Sequence, residues 1–123
     1  MEHDALTERV IGCCFSVHRE LGPGFPERIY HNALEQALGQ ADIIFASETP
    51  FRVSFRGTPV GSFHVDLLVE GRVIVEVKAV SGTMPKVFEA QILAYLKAAK
   101  VPVGLLVNFG NSSCHVRRLA LKT

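Results

Sequence analysis

The chain has 123 residues, 48% of them hydrophobic and 20% charged, which excludes wholesale disorder and allows a core without disulfide or metal staples. Thirteen Lys and Arg against twelve Asp and Glu leave a net charge of +1. That balance argues against a protein held on nucleic acid or an anionic membrane by bulk charge, while leaving room for a local basic strip. No apolar run approaches the ~20 residues of a membrane span, and the start, Met1-Glu2-His3-Asp4, is acidic rather than signal-like. Cys13, Cys14 and Cys114 form no C-x-x-C and fit reduced thiols. A cytoplasmic protein is expected, folding as one domain over residues 1–123, with no repeat or linker to divide it.

From Leu6 to Leu21, the residues Val10, Cys14, Val17 and Leu21 recur at helical spacing, and Gly22-Pro23-Gly24 ends that helix. Pro26 opens a second helix whose buried face is Ile29, Tyr30, Ala33, Leu34, Ala37 and Leu38, stopping near Gly39. Phe51, Val53 and Phe55 alternate with polar residues as in a strand, and Gly57-Thr58-Pro59 reads as a turn. Strands from Phe63 to about Val69 and from Arg72 to Val80 follow, joined around Glu70-Gly71. Pro85 opens a third helix, Lys86 to Ala99; Val101 to Phe109 is apolar enough for a buried strand, and Cys114 to Leu121 makes a last one. Three successive strands favour an antiparallel meander. The strand–helix–strand passage from Arg72 to Phe109 favours a parallel neighbour. An α/β fold with a mixed sheet and packed helices is therefore expected.

The hairpin at Glu70-Gly71 carries the most chemistry. With a three-residue loop, Val69-Glu70-Gly71, one face holds Val65, Leu67, Val73, Val75 and Val77. The other then holds His64, Asp66, Leu68, Ile74, Glu76 and Lys78; a two-residue loop would separate Asp66 from Glu76. Two neighbouring carboxylates raise each other's pKa and call for a cation between them. Oxygen donors without clustered Cys or His favour Mg²⁺ or Mn²⁺ over zinc. Lys78 would face the same spot, able to activate a water or stabilise phosphoryl charge. The competing reading is a solvated charged strand face, which Leu68 and Ile74 speak against.

In the third helix, Gln91 sits amid an apolar face of Val87, Phe88, Ala94, Tyr95 and Ala98, implying a buried amide with polar partners. Backbone carbonyls would serve as well as a site. Glu27 falls in the first turn of the second helix, where the helix dipole alone accounts for it. His18 lies on the inner side of the first helix, as a core histidine does. Lys86, Lys97 and Lys100 read as a solvated stripe. No P-loop and no G-x-S-x-G elbow occurs.

Asp66, Glu76-Val77-Lys78 and Gln91-x-x-x-Tyr95 together resemble the PD-(D/E)XK nuclease superfamily in its RecB-like form. His18-Arg19-Glu20-Leu21-Gly22-Pro23-Gly24 with Glu27 and Tyr30 is similar to the bacterial GxxExxY family, whose pattern stands here as Gly24-Phe25-Pro26-Glu27-Arg28-Ile29-Tyr30. Val107-Asn108-Phe109-Gly110 resembles that family's late strand. The superfamily's Pro is Val65 here. The resemblance covers about Val10 to Leu119. It implies a restriction-endonuclease-like α-β-β-β-α-β core with an extra N-terminal helix, and Mg²⁺- or Mn²⁺-dependent hydrolysis of phosphodiester bonds, with DNA the expected substrate. By position, Asp66 and Glu76 would hold the metal, with the Val77 carbonyl, Glu27 and His18 as further candidate ligands. Lys78 would activate water, and Gln91 and Tyr95 would position substrate or Lys78. The alternative is a nuclease-fold module that binds nucleic acid or a protein partner without cutting. The small size is compatible with a homo-oligomer, and no membrane partner is expected.

Overall fold

Helical and alternating apolar patterns converge on a mixed sheet with helices on both faces. The computed structural model describes residues 2–121. The elements run α1 (Glu2–Leu21), α2 (Glu27–Gln40), β1 (Phe45–Phe55), β2 (Thr58–Val69), β3 (Val73–Lys78), α3 (Lys86–Ala99), β4 (Val103–Asn108) and β5 (His115–Ala120). Their order is the expected one. The strands lie in sequence order, β1-β2-β3-β4-β5. All neighbours are antiparallel except β3 and β4, which α3 connects as parallel strands.

Each face of the sheet has its own core. On one side α1 and α2 bring Val10, Cys14, Val17, Tyr30, Leu34 and Leu38 onto Leu67, Val75, Val77, Leu105 and Val107. On the other, Ile92 and Leu96 of α3 cover Val65, Ile74 and Leu106. Covered on both faces, β3 and β4 read as nearly continuous apolar runs, as central parallel strands do. Pro26 and Pro85 take the capping positions of α2 and α3, where a missing N–H leaves no helix bond unmade.

Several expectations need correction. β1 begins at Phe45, and its turn into β2 is Arg56-Gly57, both at positive φ (51° and 79°), so Pro59 lies inside β2. Pro59 is tolerated there because β3 does not reach this part of β2: β2 pairs with β3 only over Leu67–Val69. The β2–β3 loop is Glu70-Gly71-Arg72 between the paired Val69 and Val73, one residue later than expected but of the same odd length. Val65 does not share the face of Leu67. It packs under α3 with Ile74 while Leu67 joins the α1/α2 core, so the alternation of β2 inverts across Asp66. Opposite that point, Glu48 adopts φ 50° and drops out of the β1–β2 pairing. The α3 face also differs: Ile92 and Leu96 are buried, whereas Val87 is 65% exposed and Gln91 lies at the surface. Counting from Val87 and Ala94 places the apolar stripe off its true centre; the β-branched and Leu positions Ile92 and Leu96 define it.

Candidate active site

The site forms where β2 and β3 part. Their Cα pairing ends at Leu67 and Val75, so the next residues, Asp66 and Glu76, have no ladder partner across the gap. Their side chains substitute for it. The Asp66 N–H donates to Glu76 Oε2 at 2.7 Å, and the Val77 N–H donates to Asp66 Oδ2 at 2.8 Å. Each carboxylate thus satisfies a backbone donor that the missing ladder would orphan, and each retains a second oxygen. The expectation that both acids share one face of the strand pair needs correction: β2 inverts at Asp66, and the two carboxylates meet across the gap instead.

Burial and the neighbouring Asp66 carboxylate push Glu76 up to about 7, opposed by the Asp66 N–H and by Lys78. Glu27, the first residue of α2, is drawn the same way by burial and by Asp66, with Lys78 pulling it down. Tyr95 is raised by burial and then by Glu76 and Asp66. Three carboxylates, one lysine and one tyrosine therefore share one electrostatic neighbourhood. The Lys78 ammonium lies 4.5 Å from the centroid of the Phe88 ring, which holds it on the α3 side.

A pocket of about 200 Å³ opens beside Asp66, lined also by Glu27, Arg28, His31 and Val77. In an extended residue the N–H and C=O point to the same side, so the Val77 carbonyl faces the gap that its N–H faces. Among the described residues no cluster of three or more His, Cys, Asp and Glu is arranged around a metal position. Two carboxylates and a carbonyl nevertheless suit a hard cation that keeps several waters and takes its remaining oxygens from a phosphate.

Residues remote from the chemistry fix this geometry. Gly24, at φ 113°, turns the chain into α2. The Tyr30 hydroxyl donates to the Gly22 carbonyl and accepts from the Phe25 N–H, pinning the turn that presents Glu27. The Tyr30 ring stacks on Phe109 at 4.8 Å. At the end of β4, the buried Asn108 accepts from the Val80 and Gly110 N–H groups and donates to the Val80 carbonyl. A Cβ on Gly110 would lie 2.3 Å from the Val80 oxygen, so only glycine admits this clamp. It secures the chain two residues beyond Lys78.

The structure gathers Glu27, Asp66, Glu76, Lys78 and Tyr95, and leaves two of the remaining candidates apart. His18 Nε2 is hydrogen-bonded to the Asn111 carbonyl at 2.7 Å, its ring faces Phe109, and it does not line the pocket. Gln91 is an exposed residue one turn before Tyr95, so it has no buried amide to satisfy. His31 is a pocket residue that sequence reading passed over. It is buried, with Nε2 2.7 Å from Glu35 Oε2 and 3.0 Å from Ser47 Oγ. The signal was the four-residue spacing of Glu27, His31 and Glu35 along one helix face. Ser47 and His31 in turn hold Glu35 below the usual carboxylate range.

A family model described as the PD-(D/E)XK nuclease superfamily matches residues 4–119. The chain belongs to the PD-(D/E)XK nuclease superfamily. Its mixed five-stranded sheet and three helices agree with the restriction-endonuclease-like fold, and membership points to a metal-dependent nuclease acting on nucleic acid. No curated protein and no solved structure matches the chain. Among the described residues no helix is long and apolar enough to cross a membrane.

Proposed function

We propose that this PD-(D/E)XK protein is a Mg²⁺- or Mn²⁺-dependent nuclease of the GxxExxY type that hydrolyses phosphodiester bonds in DNA. The observation that carries the reading is the carboxylate pair at the opening of β2 and β3, with Asp66 and Glu76 each bound to a backbone N–H and Lys78 beside them. Asp66 and Glu76 hold the cation, with the Val77 carbonyl as a third oxygen. A cation bound there would polarise the scissile phosphate and offset its developing charge. Lys78 orients the attacking water, assists its deprotonation and stabilises charge on the phosphoryl oxygens as the water oxygen joins phosphorus and the bond to the leaving sugar oxygen breaks. Glu27, on the opposite wall, fixes the water or the cation's outer shell. Tyr95 and Gln91 border the substrate side from α3. His18 is left out of the set, because its Nε2 is taken by Asn111.

The test is cleavage of single- and double-stranded DNA with Mg²⁺ or Mn²⁺, repeated with EDTA and with Lys78→Ala. The expected result is cutting that needs the cation and falls sharply in the variant. Cutting that persists equally in EDTA and in Lys78→Ala would overturn the mechanism. The absence of cleavage on any nucleic acid would leave a fold used for binding.

A further inference from the structure

Past Asp66, the β1–β2 hairpin leaves the sheet. Thr49–Phe55 pairs with Thr58–Val65 as a two-stranded ribbon, with β3 alongside only residues 67–69 of β2. A free ribbon of this kind is marginal in water and needs one face covered. α3 covers it: Phe51, Phe63 and Tyr95 stack in series, at 5.5 Å and 4.2 Å between rings, with Val65 buried beneath. The opposite face, which carries Pro50, Arg52, Ser62 and His64, is exposed. Because Val65 points toward α3, this open face lies on the side of Asp66 and the pocket wall formed by α2.

The charge of the ribbon sets it apart from the site it leads to. From Thr49 to Val65 the sequence holds Arg52, Arg56 and His64 and no Asp or Glu. The site itself is built from Glu27, Asp66 and Glu76. At 3.3–3.4 Å per strand residue, His64 lies ~7 Å and the Arg52–Ser62 pair ~13 Å from Asp66 along the ribbon, with Arg56 at its far end. There the Arg56 guanidinium lies 4.8 Å from the centroid of the Phe55 ring, which is itself 60% exposed. A near-neutral protein therefore concentrates unopposed positive charge along a ribbon that ends at its carboxylate pair.

We propose that the open face of this ribbon is the track along which one strand of nucleic acid reaches the pocket, with Arg52 on that face and Arg56 at the turn on phosphates. The proposal rests on the nuclease reading above and specifies its substrate as a single strand. Two arginines on a ribbon two strands wide suit one backbone rather than the paired backbones of a duplex.

The experiment uses Asp66→Asn, which should not cut, and follows the fluorescence anisotropy of labelled oligodeoxythymidine against salt. Adding Arg52→Ala and Arg56→Ala, both at exposed positions, should weaken binding at least about tenfold. The slope of log K on log salt should become shallower by about 1.4, two contacts at ~0.7 each. Unchanged melting by circular dichroism, and unchanged Mn²⁺ binding when the two arginine substitutions are made in the wild-type chain, keep the loss specific. Equal binding with and without the arginines would overturn the track while leaving the nuclease reading intact. An equal loss on a blunt duplex would overturn the single-strand assignment. A change of sedimentation coefficient instead of affinity would make the ribbon a self-association surface and overturn the track. If Asp66→Asn binds no nucleic acid and the wild type cuts none, the nuclease reading falls with the track.

Discussion

On one side of β3 the ladder is complete, with six residue pairs from Val73–Val103 to Lys78–Asn108; on the other it stops after three. Both edges belong to the same buried strand, so hydrophobicity does not separate them. The difference lies in who satisfies the backbone. Toward β4 the main chain does so and side chains pack. Toward β2 the pairing ends, and Asp66 and Glu76 accept from the N–H groups the gap exposes. The candidate site is an interruption of the sheet stabilised by the residues proposed for its chemistry. Substitutions on the closed side should therefore cost stability, and those on the open side should cost activity.

The largest effect expected on the open side is from Lys78→Ala, a loss of cleavage of roughly 10²–10⁴-fold, with Mn²⁺ binding retained in titration. Comparable loss of metal binding would mean that Lys78 supports the fold rather than the reaction. On the closed side, Leu105→Ala removes a fully buried side chain of β4 and should lower unfolding free energy by about 2–5 kcal/mol. Its cleavage rate well below the transition should stay near wild type. Urea denaturation and single-turnover cleavage of both variants put the comparison at risk.

The two sides should also differ in pH response. Glu76 is pushed up to about 7 from an ordinary 4.5. Between those values the folded protein keeps a proton that the unfolded chain has released. Without divalent cations, stability should thus be greatest at the acid end of this window and fall as pH rises through 7. Glu76→Gln should flatten that slope, and Mg²⁺ should oppose it by favouring the ionised pair. Denaturation curves across the window, with and without Mg²⁺, read the sign directly. A rise in stability with pH would mean that neither burial nor the Asp66 carboxylate disfavours the Glu76 anion in the fold.

Smaller effects sharpen the picture. Tyr30→Phe keeps the ring against Phe109 but leaves the Gly22 carbonyl and Phe25 N–H without the hydroxyl. It should cost about 0.5–1.5 kcal/mol and slow cleavage through a misplaced Glu27, without abolishing it. Gln91→Ala, at an exposed position, should change KM by less than about tenfold and leave melting unaltered.

Much of this was legible in the chain itself. Alternation and helical period gave the element order, and the odd length of the loop around Glu70-Gly71 was legible, though it suggested one strand face for Asp66 and Glu76 where the fold brings them together across a gap. The inversion at Asp66 was not legible, because periodicity assumes that a strand keeps its faces. It is matched across the strand pair by Glu48, which takes a left-handed conformation and pairs with Arg28 twenty residues away. Gln91 misled for a related reason. Small apolar residues such as Ala94 and Ala98 sit as easily in solvent as in a core, so the stripe they suggested was displaced from Ile92 and Leu96. His31 was hidden because a single histidine on a helix carries no motif until Ser47 and the pocket are beside it.

The most direct test of the central claim is calorimetric titration of Mn²⁺ into the wild type, Asp66→Asn and Glu76→Gln. The account predicts a binding heat in the wild type that vanishes in both variants while their melting temperatures hold or rise, since each removes like-charge repulsion at the gap. Equal binding in wild type and variants would contradict it, because the cation would then sit somewhere other than between the two carboxylates.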